Sequence, residues 1–331
     1  QTICFKGNTY DQHIPRVNRG KSMGDLITMD DLTNEEIIQI LDAANTLLPV
    51  ARGEAYLPLL QGKVLGNLFF ENSTRTRMSF ETAMKRLGGE VLNLSTIGSS
   101  VAKGETLYDT MQMVDGYADI AVIRHPRQGA AQYSADAVNI PILNAGDGAG
   151  NHPTQTMLDL FTIREAHGSL EGLNVMMVGD LRYGRTTHSL SHALVRFGSK
   201  LTLVSPKSLK MPIEIVSDLK SHGADISETE EMISSISSAD VIYMTRIQKE
   251  RFPDEDEYNK VADVYKLDAS DLVEAKNEMI IMHPLPRVNE LHPNVDSTEH
   301  AKYFQQAFNG VPTRMALLCR GLGIEVPKKV K

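Results

Sequence analysis

The apolar run Val64 to Phe70, which breaks into Ser73-Thr74-Arg75-Thr76-Arg77 and re-emerges as an amphipathic stretch, constrains this chain more than any other feature. Phe80, Ala83, Met84 and Leu87 fall at i, i+3, i+4 and i+7, the spacing of one helix face, and Gly88-Gly89 stops the pattern. A second strand-like stretch, Glu90 to Leu94, follows at once. Strand, turn, helix and strand in that order make the unit of a parallel sheet. The turn is also chemically pointed, because a helix N-terminus exposes unpaired backbone N–H groups and roughly half a positive charge. Ser73 or Thr74 caps the helix, and Arg75 and Arg77 carry planar forks that match phosphate oxygens. Taken alone, the pentad fits an anion cradle and an ordinary cap followed by two solvated arginines equally well.

The same rhythm continues along the chain. Residues 1 to about 23 are polar and unpatterned, an extension rather than a domain. Asn34 to Leu48 reads as helix, and Ala118 to Ile123 and Pro141 to Leu143 as strands; Leu107, Met111 and Val114 form a one-sided helical stripe that Asp115-Gly116 ends. Asn144 to Asn151 is glycine-rich, and His152-Pro153-Thr154-Gln155 then opens a helix with Pro153 at its first position. Beyond it come strand Asn174 to Val178, helix Thr186 to Phe197, strand Leu201 to Val204, helix Ile213 to His222, and strands Val241 to Met244 and Met279 to Met282. Glu299 to Leu322 reads as a closing helix interrupted near Gly310-Val311-Pro312, its last part packing back on the first half. The expected fold is therefore α/β, with two doubly wound parallel-sheet domains: residues 1–153 joined by a C-terminal helix at 311–331, and residues 154–310.

With 331 residues and 41% hydrophobic content, the chain has material for two cores of roughly 150 residues each. Its formal net charge of −8 argues against a generally basic face for nucleic acid or for an acidic membrane, so any cationic site has to be local. Cys4 and Cys319, the two cysteines, form no C-x-x-C pair, which points to a reducing, cytoplasmic setting and away from a disulfide framework or a cysteine zinc site. No run approaches the ~20 apolar residues of a membrane span, and no basic-then-apolar secretory pattern opens the chain.

Further candidate sites fall where strands end, the crevice in which open α/β sheets bind ligands. Arg124-His125-Pro126 follows one strand, and His152 and Gln155 open the junction helix; each histidine on its own is more often a hydrogen-bonded structural residue. Ser99 to Glu105 is a small-residue loop that brings Lys103 within reach as a lid, although a solvated lysine fits its composition as well. Gly179 to Thr186 has the G-x-x-x-x-G spacing of a phosphate loop but carries Arg185 in place of its lysine, and it lacks the three-glycine dinucleotide pattern. An arginine at such a turn suits a carboxylate held bidentately. Arg246 to Arg251 and His283-Pro284-Leu285-Pro286-Arg287 end two more strands, and the prolines of the latter remove backbone donors and leave its carbonyls as acceptors.

These motifs together resemble the aspartate carbamoyltransferase catalytic chains, over about Leu32 to Leu322. The matching elements are Phe70 to Arg77, Lys103-Gly104-Glu105, Arg124-His125-Pro126, His152 to Gln155, Gly184-Arg185-Thr186, Arg246 to Arg251 and His283 to Arg287. His-Pro-Thr-Gln and His-Pro-Leu-Pro-Arg are similar to the aspartate branch, where the ornithine branch typically has cysteines. Ala102 departs from the pattern, since some members carry a second basic residue before the lysine.

The resemblance implies an enzyme of pyrimidine biosynthesis that moves the carbamoyl group of carbamoyl phosphate to L-aspartate without a metal or organic cofactor. Carbamoyl phosphate would bind first, to Ser73, Thr74, Arg75, Thr76, Arg124, His152 and Gln155, with Ser99 and Lys103 supplied by a neighbouring subunit of a homotrimer. Aspartate would pair with Lys103, Arg185 and Arg246, supported by Thr186 and Gln248, its amine facing the carbonyls of Pro284 and Leu285. Arg75, Thr76, Arg124 and His152 would carry the chemistry, and Glu71 would link the closed domains through Arg185 and Arg251. The family pattern also leaves room for a separate regulatory chain.

Overall fold

The computed structural model describes residues 24–95, 104–148, 150–247 and 264–330, with positions 256, 258 and 261. Among these residues nine strands form two fully parallel sheets. The first holds β1 (Val64–Phe69), β2 (Glu90–Ser95), β3 (Ile120–His125) and β4 (Ile142–Asp147) in the order β2-β1-β3-β4. The second holds β5 (Asn174–Val178), β6 (Lys200–Val204), β7 (Ile226–Thr229), β8 (Val241–Met244) and β9 (Ile280–Met282) in the order β7-β6-β5-β8-β9. Helices α1 (Asn34–Arg52), α2 (Arg75–Arg86), α3 (Leu107–Tyr117) and α4 (Ala130–Ala137) accompany the first sheet, and α6 (Arg185–Val195) and α7 (Ile213–Ser221) the second. Two helices join the halves, α5 (Pro153–His167) and α8 (Tyr303–Gly321).

The inner strands are covered on both faces, which is why β1, β3, β5 and β8 read as mainly apolar runs, with buried Asn67 in β1 bonded to Asn93 on β2. On the sheet edge, β7 has the half-exposed sequence Ile-Ser-Glu-Thr, so no apolar run marked it. Several element ends move. Helix α1 continues past Leu48 through Pro49 to Arg52, where Gly53 at φ 80 closes it; α3 runs through Gly116 to Tyr117, and β4 reaches Asp147.

The expected break at Gly310-Val311-Pro312 is absent, and α8 is one helix from Tyr303 to Gly321. Helices α1, α2 and α5 all pack against it. The buried side chains of Val311, Met315, Leu317 and Leu318 offset the one backbone bond that Pro312 cannot make. Helix α5 is buried on nearly its whole circumference, including polar Thr154, Thr156, Asp159 and Thr162. One apolar cluster accordingly runs from α1 through α5 and α8 into the second sheet.

Strand order reverses between β1 and β3 in the first sheet and between β5 and β8 in the second. Each reversal opens a crevice at the carboxyl ends of the strands, because the connections leave in opposite directions there.

Candidate active site

Both crevices open into one cavity of about 770 Å3. Its walls are the segments that follow β1, β3, β4, β5, β8 and β9, so residues remote in sequence converge. Glu71, Ser73, Thr74, Arg75 and Thr76 come from the turn after β1, and Arg124 from the end of β3. His152 and Gln155 stand at the start of α5, Arg185 and Thr186 at the start of α6, Arg246 after β8, and Pro284 and Leu285 after β9. Every described residue that the resemblance assigns to a substrate, to the chemistry or to closure thus lines the cavity, whereas Arg77 and His125 do not; Ser99, Lys103, Gln248 and Arg251 lie outside the described residues.

Local structure explains several of these placements. Thr74 is the N-cap of α2, yet its hydroxyl makes no capping bond. That corrects the expected cap and leaves both the hydroxyl and the first N–H groups of the helix facing the cavity wall without a side-chain partner from the cap. Arg77 is two residues from Arg75 and so projects to another side of α2, where its charge acts on Glu81; it is not part of the cavity lining. Gly146 at φ 116 sits where a Cβ would come within 3.3 Å of both Arg124 Nη1 and Arg185 Nη2, so the missing side chain lets two guanidiniums approach.

Five guanidiniums (Arg75, Arg124, Arg185, Arg246, Arg314) line the cavity against two carboxylates (Glu71, Asp180). Glu71 bridges the two halves: its Oε2 lies 3.1 Å from Arg124 Nε on the first sheet and 3.7 Å from Arg185 Nη2 on α6. Arg124 also donates to the Ala145 carbonyl at 3.3 Å, and Arg185 donates to the Gly148 carbonyl. Burial, with the Arg185 charge second, pulls Arg124 down to about 10, while burial and then the Arg246 charge lower Arg75. Both remain cationic at neutral pH, and among the described lining residues guanidiniums outnumber carboxylates, so the wall favours an anionic ligand.

His152 is 4% exposed, with its Nδ1 3.3 Å from the Thr154 hydroxyl. Burial first, then the charges of Arg124, Arg185 and Arg314, hold it well below the ordinary imidazole range. It is a neutral imidazole at pH 7, able to donate one hydrogen bond without adding charge. The loop after β9 is anchored at both ends: the Leu285 N–H donates to His283 Nδ1 at 2.8 Å, which makes His283 Nε2 the donor to Glu290 Oε1 at 2.7 Å. Arg287 holds the far side through Asp296, at 2.6 Å between Nη2 and Oδ2, and through the Tyr303 hydroxyl at 3.2 Å. Leu285 sits at φ 55, and its bond to Pro286 is cis.

Asp180, Tyr183, Thr245, Gln306 and Arg314 also line the cavity and were not picked out from sequence. Arg314 is 2% exposed, stacks on Phe80 with its guanidinium carbon 5.0 Å from the ring centroid, and is pulled down to about 9 by burial. A lone arginine inside the apolar stretch Val311 to Cys319 was the available signal. Among the described residues no group of three or more His, Cys, Asp or Glu is placed to hold a metal ion.

Two family models match the chain: "Aspartate/ornithine carbamoyltransferase, carbamoyl-P binding domain" over residues 24–165 and "Aspartate/ornithine carbamoyltransferase, Asp/Orn binding domain" over residues 171–320. The aspartate carbamoyltransferase catalytic subunit of Archaeoglobus fulgidus is 56% identical over 299 residues, which is 89% of this chain and 98% of that protein. Among solved structures, the catalytic subunit of M. jannaschii aspartate transcarbamoylase superposes with a TM-score of 0.84 at 50% identity, covering 89% of this chain and 96% of that one. Aspartate transcarbamoylase from Trypanosoma cruzi, solved in complex with carbamoyl phosphate and aspartate, gives a TM-score of 0.84 at 40% identity, covering 89% and 95%.

Proposed function

This chain belongs to the aspartate/ornithine carbamoyltransferase family, and from that premise and the cavity we infer that it transfers the carbamoyl group of carbamoyl phosphate to L-aspartate, giving N-carbamoyl-L-aspartate and phosphate. One observation carries the reading: the cationic crevices of the two sheets face a single cavity, with His152 and Gln155 of one aspartate-branch motif and His283 to Pro286 of the other on its wall.

Carbamoyl phosphate occupies the first half-site. Ser73, Thr74, Arg75 and Thr76 receive the phosphate at the start of α2, with Arg124 as a further cation and Ser99 and Lys103 completing the shell. His152 donates to the carbamoyl oxygen and Gln155 accepts from the carbamoyl NH2. Aspartate enters second, its carboxylates held by Arg185, Arg246 and Lys103 with support from Thr186 and Gln248. Its amine faces the carbonyls of Pro284 and Leu285.

The unprotonated amine attacks the carbamoyl carbon, so an N–C bond forms and the carbonyl oxygen takes up negative charge. Thr76, Arg124 and His152 stabilise that oxyanion. The C–O bond to phosphorus then breaks, the carbonyl reforms, and a phosphate oxygen takes the amine proton as the group departs. Holding two anions in register contributes most, since orientation is worth roughly 7 to 11 kcal/mol in favourable cases. Glu71, placed between Arg124 and Arg185, serves closure of the two halves together with Arg251.

The domain division and the assembly belong to the same reading. Residues 1–153 with residues 311–331, which include the second half of α8, bind carbamoyl phosphate, and residues 154–310 bind aspartate. A homotrimer with shared active sites is favoured by the open edge of β2, where Leu92 is 48% exposed, and by Met78 on neighbouring α2, 57% exposed. The relatives' name, catalytic subunit, implies further subunits, so a regulatory chain is part of the proposal. Pyrimidine biosynthesis in the cytoplasm is the proposed setting, supported by the buried free thiol of Cys319.

The test is ureido product formed from carbamoyl phosphate with aspartate and with ornithine side by side, Arg75→Ala serving as the blank. Turnover with aspartate alone, lost in the variant, is the expected result; turnover with ornithine alone contradicts the acceptor assignment.

A further inference from the structure

Beneath the cavity one carboxylate gathers three hydrogen-bonded arms that end at different parts of the site. Asp159, on α5, is fully buried. Its Oδ1 accepts from Gln155 Nε2 at 3.0 Å and from Gln306 Nε2 at 2.7 Å, and its Oδ2 accepts from the Tyr243 hydroxyl at 2.9 Å. The Gln155 arm reaches the cavity directly. Gln306, on α8, accepts from the His283 N–H at 2.8 Å, and His283 Nδ1 accepts from the Leu285 N–H at 2.8 Å. Tyr243, on β8, has its hydroxyl beside the Thr186 side chain at the start of α6.

Donor and acceptor inventories fix the direction of both amides. In its ionised form Asp159 only accepts, so each glutamine turns its NH2 toward it. The other end of Gln306 agrees, because its oxygen already accepts from the His283 N–H. For Gln155 the consequence bears on substrate: with its NH2 engaged below, its carbonyl oxygen is the group left for the cavity. A turned amide would offer a donor where the carbamoyl NH2 needs an acceptor.

We propose that Asp159 is a positioning residue for carbamoyl transfer, holding Gln155 on the carbamoyl phosphate side and the Leu285 loop and Thr186 on the aspartate side in one register through its three side-chain hydrogen bonds. The proposal rests on the assignment of Gln155, Thr186 and Leu285 to the two substrates made above. Stability alone does not explain a carboxylate here. Burial pushes Asp159 up to about 7, so its ionised form is disfavoured by the fold.

Asp159→Asn tests this, because the amide keeps the volume but offers one acceptor oxygen in place of two, and an arm has to release or turn over. In the variant kcat falls at least tenfold and the KM of each substrate, measured with the other saturating, rises at least threefold, while the thermal midpoint at pH 8 is unchanged or higher. Values of kcat and both KM within twofold of the unmodified chain overturn the proposal, as does activity lost only in proportion to unfolded protein. Gln306→Leu cuts one arm and decides the matter if Asp159→Asn does not fold: aspartate KM rises at least fivefold with carbamoyl phosphate KM within twofold, and an unchanged aspartate KM overturns the proposal. Gln155→Ala run alongside separates the two levels, since an unchanged carbamoyl phosphate KM there defeats the substrate assignment of Gln155, leaving the aspartate arm to be judged by Gln306→Leu.

Discussion

Glu71 is the residue on which the two halves meet most directly, since one oxygen of its carboxylate lies 3.1 Å from Arg124 Nε and 3.7 Å from Arg185 Nη2. Removing it leaves two guanidiniums that repel each other across the cavity. Truncating one partner of a partly buried ion pair leaves the other charges unbalanced at a cost of about 2 kcal/mol or more, so Glu71→Ala should lower kcat/KM for aspartate roughly tenfold to a hundredfold. Steady-state rates check this, and a change within twofold contradicts it. His152 makes a second prediction, on pH. Burial and the neighbouring arginines depress its folded pKa below the unfolded value, so the imidazole is neutral in both states at pH 7. As pH falls through about 6.5 the unfolded chain takes up a proton that the folded chain refuses, and stability drops by up to about 1.4 kcal/mol per pH unit for that group. Denaturant titrations from pH 7 to pH 5 should therefore show His152→Gln losing less stability than the unmodified chain; equal slopes would sink the argument.

Two helix starts make a contrast that belongs to the element. At α1, Thr33 Oγ1 accepts from the Glu36 N–H at 3.2 Å and Glu36 Oε2 accepts from the Thr33 N–H at 2.8 Å, a reciprocal cap. At α2, the Thr74 hydroxyl makes no such bond and lines the cavity. Thr33→Ala should cost about 1 kcal/mol of stability and leave kcat/KM unchanged, whereas Thr74→Ala should cost little stability and raise the KM of carbamoyl phosphate. Thermal midpoints and initial rates on both variants decide it, and the reverse pattern would be fatal. The same elements show what the sequence carried. Strand, turn and helix around Ser73–Arg77 were legible because a two-sided buried strand is mainly apolar and the i, i+3, i+4, i+7 stripe after the turn marks one helix face; the role of the pentad came only with the other motifs. Strand β7 was not legible, since an edge strand needs only half its residues buried. The unbroken α8 was missed for another reason: contact with α1, α2 and α5 overrides the local preference of Pro312. Gln306 and Asp159 look from sequence like ordinary helix residues, and only packing shows that they meet at the cavity's base; Arg314, alone in an apolar stretch, carried a signal.

At the scale of the whole molecule, two parallel sheets aim their switch points at each other, and neither crevice alone holds both sets of cations. Arg75 and Arg124 belong to the first sheet, Arg185 and Arg246 to the second. Helices α5 and α8 tie the sheets together and carry Gln155, Asp159, Gln306 and Arg314 between them. The central claim is thus a division of labour, one substrate half-site from each sheet, joined in one cavity. The KM of each substrate in Arg75→Ala and in Arg185→Ala tests it most directly. Arg75→Ala should raise the KM of carbamoyl phosphate by an order of magnitude or more, and Arg185→Ala should raise chiefly the KM of aspartate, each guanidinium contributing a charge-assisted bidentate contact. If Arg185→Ala instead weakens carbamoyl phosphate as much as Arg75→Ala does, or leaves aspartate untouched, the division between the sheets is wrong.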